Sequence, residues 1–399
     1  MKAKISNLNL SLLENTPFLT ADGKFDLNRA MDFCGKVGGI CYEEAGLMAS
    51  FAEKPERTQR RINMTTAGEH QSIYDHVNLG IYVKDSSKML NMVLNNEGQY
   101  NTSERSLRYT KVNPDKCNLP KREIELYQEW TNVILNLILM ESKEQKKPIS
   151  EKAALKIAQE NARYMVSVFI NTEMVHTIPL GQLNRIVSYM KDYINKPNKD
   201  DFEERMSLEF GMFIEQCEKL NLLDERLQSN RKERKLRIFG ENLRDIPDDF
   251  GFSYNITYQG SFAEYAQKER HRIEKSQLER NPNNGFYIPK IVEKNDLLTK
   301  VWLNDIQSVS DDVPQGEIVD ILEGGDFDTL VSKLKERACS HPQLEIFETC
   351  DELTRKYYEE LEKKDHPYAK KLLPYVGKRR CEFPDYTCTQ PCDKRDRLW

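Results

Sequence analysis

Residues 252–280 read FSYNITYQGSFAEYAQKERHRIEKSQLER. Phe252, Tyr254, Ile256 and Tyr258 alternate with Ser253, Asn255 and Thr257, the period of a half-buried strand. Gly260 breaks that pattern. Ser261 then stands as a helix N-cap with Glu264 at capping-box distance, and a helix is predicted over 261–272. It closes on Arg270-His271-Arg272, and a polar arm follows over 274–280. Working outward, the same order occurs about 175 residues earlier. Val77, Leu79, Ile81 and Val83 alternate with Asn78, Gly80 and Tyr82; helical spacing follows over 86–96; then comes YNTSERSLRYTK from Tyr100. Strand, helix and arm thus occur twice, which points to an internal duplication.

Between the two copies lie long helices. Ile124, Tyr127, Trp130, Val133, Ile134 and Leu137 form a 3.6-period stripe over 122–140. Ser150 opens a second helix with Ala154, Ile157, Ala158 and Ala162 on one face, and 202–220 reads as a third. The charge-dense stretch DERLQSNRKERKLRIFGENLR from Asp224 reads as a solvated connection. The domains expected are therefore 1–225, a connection over 226–248, and 249–399. Helices over 327–337 and 343–363 close the chain, the last burying Leu344, Phe347, Leu353, Tyr357 and Leu361.

The 399 residues carry 59 Lys and Arg against 64 Asp and Glu, a net charge of −5, which argues against a general nucleic-acid binder. A local basic pocket for one small anion stays open. No apolar run approaches the roughly 20 residues of a membrane helix, and the opening residues carry Asn and Glu where a signal peptide is apolar. A cytoplasmic location is expected. Nine cysteines read as reduced thiols. Cys381, Cys388 and Cys392 cluster, but one short spacing and a missing fourth ligand favour a packed tail over zinc, so no metal is expected.

Arg270, His271 and Arg272 repel one another unless an anion sits among them, and guanidinium forks suit phosphate. The bland alternative is a basic helix end facing water. Glu104, Ser106 and Arg108, spaced at two, share one face if their arm is extended, so that carboxylate, hydroxyl and guanidinium could read a uracil edge and a phosphate. The alternative there is an exposed edge strand with a salt bridge. In GEHQSIYDH, residues 68–76, Gly68, His70, Ser72 and Asp75 read either as a capped turn entering a strand or as a turn facing a ligand.

Together these motifs resemble the flavin-dependent thymidylate synthases, the ThyX family. Its hallmarks are an Arg-His-Arg triplet, an arm of the form Asn-Glu-x-Ser-x-Arg-Tyr, and a preceding Gly-His-x-Ser-x-x-Glu-His. The first half supplies GEHQSIYDH, Ile40-Cys41-Tyr42, YNTSERSLRY and Arg163 in ENARY. The second supplies Gln267, the triplet, FYIP from Phe286, RACSHPQLEI from Arg337 and GKRRCEFPDYTC near the end. The resemblance implies an α+β chain of two family-like lobes, each a small, mainly antiparallel sheet with long helices, forming a pseudo-dimer. It implies reductive methylation of dUMP to dTMP, with FAD as cofactor and NADPH and methylenetetrahydrofolate as co-substrates. By the same resemblance Gln267, Arg270, Glu104, Ser106, Arg108, Arg163 and Arg337 bind dUMP, with Ser106 and Arg337 taking part in the chemistry. His70, Ser72, Arg270, His271, Arg272 and Glu104 face the FAD, and two chains pair as a pseudo-tetramer.

The departures divide between the halves. Leu94-Asn95-Asn96 stands at the first half's triplet position, and Met190 at its late arginine. The second half keeps Arg337 but lacks Ser-x-Arg-Tyr and a counterpart of Arg163. Each half lacks what the other retains, so one composite site is expected. The family's late asparagines are Pro179 and Arg185 in one half, Asp326 and Ser332 in the other. An extra Glu69 precedes His70, and the arm has two extra residues. A related enzyme modifying C5 of another pyrimidine nucleotide, or a non-catalytic nucleotide-binding relative, are the competing readings.

Overall fold

The computed structural model describes residues 2–5 and 7–389. It contains two four-stranded antiparallel sheets with one topology. The first is built from β1 (Asn9–Leu12), β2 (Asn78–Ser87), β3 (Asn101–Glu104) and β4 (Asn171–Pro179), in the order β1-β2-β4-β3. The second is built from β5 (Asp249–Phe250), β6 (Ser253–Ser261), β7 (Lys275–Arg280) and β8 (Ile318–Asp326), in the order β5-β6-β8-β7. The central pairs match as well. β2 runs against β4 from Asn78↔Pro179 to Ser87↔Asn171, and β6 against β8 from Ser253↔Asp326 to Ser261↔Ile318. Both β2 and β6 end on a serine that caps the next helix. Ser87 Oγ accepts from Leu90 N at 2.9 Å, and Ser261 Oγ from Glu264 N at 3.0 Å.

Two local expectations are corrected. β6 runs through Gly260, paired with Val319, to Ser261. Glycine there leaves room for the Glu264 side chain, whose Oε2 would lie 1.7 Å from a Cβ. The helix that follows is only Phe262–Lys268, so Arg270, His271 and Arg272 lie in a turn before β7 and not at a helix end. The reciprocal half of the capping box is missing because Ser261 N donates to Glu345 Oε1 at 2.9 Å, not to Glu264.

The chain packs as two compact units. One holds residues 2–4, 106–170 and 237–389; the other holds 5, 7–105 and 171–236. Compactness therefore does not follow chain order: the helices Lys121–Glu144 and Glu151–Ala162 belong to the unit that contains β5–β8. Aromatic and polar contacts with the helix Asp296–Gln307 hold them there. The Trp130 and Trp302 rings meet edge-on at 4.8 Å, and Asp305 accepts from Trp130 Nε1 at 3.0 Å and from Arg122 at 2.9 Å. The stretch 226–248 is more than a solvated connection. Ile238 and Leu243 are buried, and backbone bonds of Ile238 and Gly240 to Leu278 cover the outer edge of β7, a row of polar groups that would otherwise stand open.

The second sheet packs on the helices Phe327–Arg337 and Leu344–Lys363 through Tyr254, Ile256, Leu330, Leu334, Ile346, Cys350, Leu353, Tyr357 and Leu361. Leu344 and Phe347, expected in that stripe, are only half-buried; Ile346 and Cys350 take the inward positions. Among the described residues no helix is long and apolar enough to cross a membrane. Cys381 is exposed, Cys388 is half-buried and forms no disulfide, and Cys392 lies outside the described residues.

In the other unit, the helix Asp201–Lys219 opens on a complete capping box between Asp200 and Glu203. It buries Glu209 against Ser87, and burial pushes the Glu209 carboxyl from an ordinary 4.5 up to about 7 despite that contact. The folded chain therefore holds a proton there that the unfolded chain has released. Stability from this group is full below about pH 4.5 and falls as pH rises to about 7, by roughly 3 kcal/mol. Glu209→Gln should flatten that part of the curve of unfolding free energy against pH, measured by urea titration.

Candidate functional site

The unit containing β5–β8 gathers most of the candidate residues. Its Arg-His-Arg turn is closed by His271 N to Lys268 O at 2.9 Å and Glu274 N to His271 O at 3.2 Å. His271 is buried, with Nδ1 3.1 Å from Glu336 Oε2 and Nε2 buried without a partner. The hydrogen bond from His271 holds the Glu336 carboxyl below its ordinary range. Arg270 is half-buried and Arg272 exposed.

The segment from Arg337 to Glu345 receives side chains of both halves of the sequence. From the second half, Arg337 donates to Gln267 O at 3.2 Å, and Ser261 donates to Glu345 through N at 2.9 Å and Oγ at 2.8 Å. From the first half, Arg108 donates to Glu160 and to His341 O, both at 2.6 Å. Buried Arg163 donates to Gln343. Tyr164 accepts from Gln343 and donates to Glu345 Oε2 at 2.6 Å, while Gln343 reaches the same oxygen at 2.9 Å. Tyr287, from the FYIP stretch, lies over the Tyr164 ring at 4.7 Å.

Three polar atoms here are buried and unsatisfied: Gln267 Oε1, Arg337 Nε and Arg163 Nε. Native interiors rarely leave such groups orphaned. An acceptor and two guanidinium donors suit a ligand that offers one N–H and several acceptor oxygens. Burial pushes the Arg163 guanidinium down from its usual value and the Glu345 carboxyl up. Burial, with Glu345 nearby, also pushes Glu264 up, so the neutral acid is favoured there.

The arm departs from expectation. β3 ends at Glu104, and the chain then turns, with Tyr109 N and Thr110 N each donating to Ser106 O at 3.0 Å. Glu104, Ser106 and Arg108 therefore do not share an extended face. Ser106 Oγ accepts from Arg108 N at 3.3 Å instead. Ser106, Arg108, Arg163, Gln267, Arg270, His271, Arg272 and Arg337 fall in one unit; Glu104, His70 and Ser72 fall in the other. There Glu104 pairs with Lys88 at 2.7 Å, and His70 and Ser72 are exposed. Glu69 has φ +55° and accepts from Ser229 Oγ at 2.9 Å and Arg231 N at 3.0 Å, so the extra residue pins this turn onto 229–231. Arg185 is bridged by Asp75 at 2.9 Å.

Four contributors escaped the reading of the residues: Glu160, Tyr164, Gln343 and Glu345. Their signal was spacing. Glu160 is one helical turn before Arg163, and Gln343 and Glu345 stand in the quoted RACSHPQLEI. Among the described residues no cluster of His, Cys, Asp and Glu could hold a metal ion.

Residues 27–196 match the family model Thy1, thymidylate synthase complementing protein. The Thy1 match takes in His70, Ser72, Glu104, Ser106, Arg108 and Arg163 and stops before Gln267, the triplet and Arg337. No curated protein matches the sequence. Solved structures similar to the chain include the UMP/dUMP methylase PolB from Streptomyces cacaoi bound with 5-Br dUMP, at 11% identity over 56% of this chain and 94% of that one, TM-score 0.32. The same enzyme with 5-Br UMP gives 12% identity, 56% and 92%, TM-score 0.32. ThyX from Helicobacter pylori with FAD and dUMP gives 14% identity, 56% and 100%, TM-score 0.29.

Gln343 links Arg163, Tyr164 and Glu345 in a buried position, so Gln343→Ala leaves three polar groups short of a partner. The expected loss is about 1–3 kcal/mol of unfolding free energy in denaturant titration, well above the change for Gln307→Ala on an exposed helix end.

Proposed function

We propose that the chain methylates C5 of dUMP reductively, giving dTMP, at one composite site per chain. The observation that carries this is the Arg337–Glu345 segment, which bonds Arg108 and Arg163 from the Thy1 stretch through His341 and Gln343, and Gln267 and Ser261 from the second copy through Arg337 and Glu345. Arg108, Arg163, Arg270 and Arg337 would hold the phosphate and polarise the uracil carbonyl, favouring negative charge that develops on the ring. Gln267 Oε1 has the acceptor character for the ring N–H, and Ser106 would lie near the base.

FAD fits the other side of the reading. His271 is buried with a free Nε2 on a turn rich in arginine, which suits a ring edge and a diphosphate. When bound, the flavin, reduced by NADPH, would supply the hydride, while methylenetetrahydrofolate would supply the carbon. His271, Arg270 and Arg272 would orient the flavin from one copy; His70, Ser72 and Glu104 are proposed as the contribution of the other. The two sheets' shared topology supports reading the chain as a pseudo-dimer, so that two chains in the cytoplasm would form a pseudo-tetramer. A second reading, C5 modification of a different pyrimidine nucleotide, is favoured by the Asp75–Arg185 bridge at a position where the family carries a flavin-side asparagine.

The purified protein should be yellow, and its flavin spectrum should change on adding dUMP. Expression should support a thymidine-requiring host; a yellow protein that binds dUMP yet fails there would favour the second reading. Arg108→Ala and Arg270→Ala should each weaken dUMP binding about 10- to 100-fold, the worth of one charge-assisted bond. Because both residues belong to one unit of one chain, mixing the two variants should restore no activity; restoration would place the site between chains.

A further inference from the structure

The turn that presents Arg270, His271 and Arg272 is flanked by two buried charged residues, Lys268 before it and Glu274 after it. Lys268 reaches Glu323, Glu274 reaches Lys333, and the two reach each other. Lys268 Nζ lies 3.1 Å from Glu323 Oε2 on β8 and 3.7 Å from Glu274 Oε1. Lys333 Nζ, on the helix Phe327–Arg337, lies 2.5 Å from Glu323 Oε2 and 3.4 Å from Glu274 Oε2. Tyr254 donates to Glu323 Oε1 at 2.7 Å. None of the four charged side chains is more than 3% exposed.

Four buried charges are a poor way to stabilise a domain. Each must be stripped of water, and apolar side chains of similar size usually serve stability as well or better. The first copy of the repeat does without a carboxylate and a lysine at the matching positions. β4 and β8 both have nine residues and each runs directly into a helix, so positions correspond by counting from the strand start. The sixth residue of β8 is Glu323; the sixth of β4 is His176, stacked on Tyr100. The seventh residue of the following helix is Lys333 in one copy and Ile186 in the other. The copy that lacks the Arg-His-Arg triplet thus lacks two of the charges as well. The charge set accompanies the triplet, not the fold.

We infer that Glu323, Lys333, Lys268 and Glu274 form a clamp that fixes both ends of the Arg-His-Arg turn, making Glu323 and Lys333 positioning residues for the ligand this turn holds. The inference rests on the proposed function for its ligand, but not for the clamp itself. Glu323 is the hub: it touches both lysines, and through them it ties the residue before the triplet and the residue after it to β8 and the helix. Burial alone would favour the neutral acid, yet Lys268 and Lys333 outweigh it and hold the Glu323 carboxyl at about 2. Two lysines face two carboxyl groups behind the turn, and burial pushes the Glu274 carboxyl up, so the clamp orders the arginines without an excess of negative charge behind them.

The test separates order from stability. Glu323→Gln should raise amide hydrogen exchange at His271 and Glu274 about tenfold more than at Leu330 and Leu334 on the adjoining helix, and weaken dUMP binding about tenfold, measured well below the melting temperature. Glu323→Leu combined with Lys333→Met removes one charge of each sign and keeps the volume. It should regain thermal stability, while exchange in the turn stays fast and dUMP binding stays weak. If the double variant recovers wild-type exchange and binding together with its stability, the four charges are only structural and the clamp is refuted. If Glu323→Gln unfolds the protein, the double variant alone decides. Should the wild-type protein bind no dUMP, the functional reading fails, and the exchange data still judge the clamp.

Discussion

The Glu345 carboxylate is the point on which the unit around β5–β8 is assembled. It is buried, and it accepts from Ser261, Tyr164 and Gln343. Ser261 is the last residue of β6 and the cap of the next helix; Tyr164 follows the helix Glu151–Ala162 and comes from the first copy. One carboxyl group therefore locates a strand end, a helix start and a distant segment relative to one another. An unsatisfied buried acid is costly, so these donors stand or fall together, and the arginines beside them inherit their positions.

The two sheets share one plan but not one set of polar side chains. Both copies retain the strand order, the antiparallel registers and the capping serine, which are demands of the backbone. They differ at the triplet position and at the late arginine. Asn95 is buried at the first copy's triplet position, and Met190 stands where the second copy has Arg337. The scaffold is thus held twice by hydrogen bonding and packing, while Arg108, Arg163 and Arg337 fall in one unit around the Arg337–Glu345 segment.

Much of this was legible in the residues. The alternation of Tyr254 with Ile256 and of Leu79 with Ile81 located β6 and β2, and Ser261 announced its cap. What the sequence hid was long-range. Gly260 looks like a strand breaker until the Glu264 carboxylate is seen filling the space of its missing side chain. The spacing of Glu104, Ser106 and Arg108 suggests one face only if the backbone stays extended, and the turn at Ser106 removes that condition. Lys268, Lys333, Glu274 and Glu323 read individually as surface charges; their meeting depends on β7 and β8 being neighbours, which no local pattern encodes.

The four crossings of the chain between its units bear on how it is made. Tyr127, Trp130 and Ile134 leave the ribosome long before Trp302, the ring that Trp130 packs against. At about 5–20 residues per second the intervening synthesis takes on the order of ten seconds. Through that interval the nascent Lys121–Glu144 helix has the following helix Glu151–Ala162 to pack on but lacks the Trp302 ring, so its docking is completed only late in synthesis.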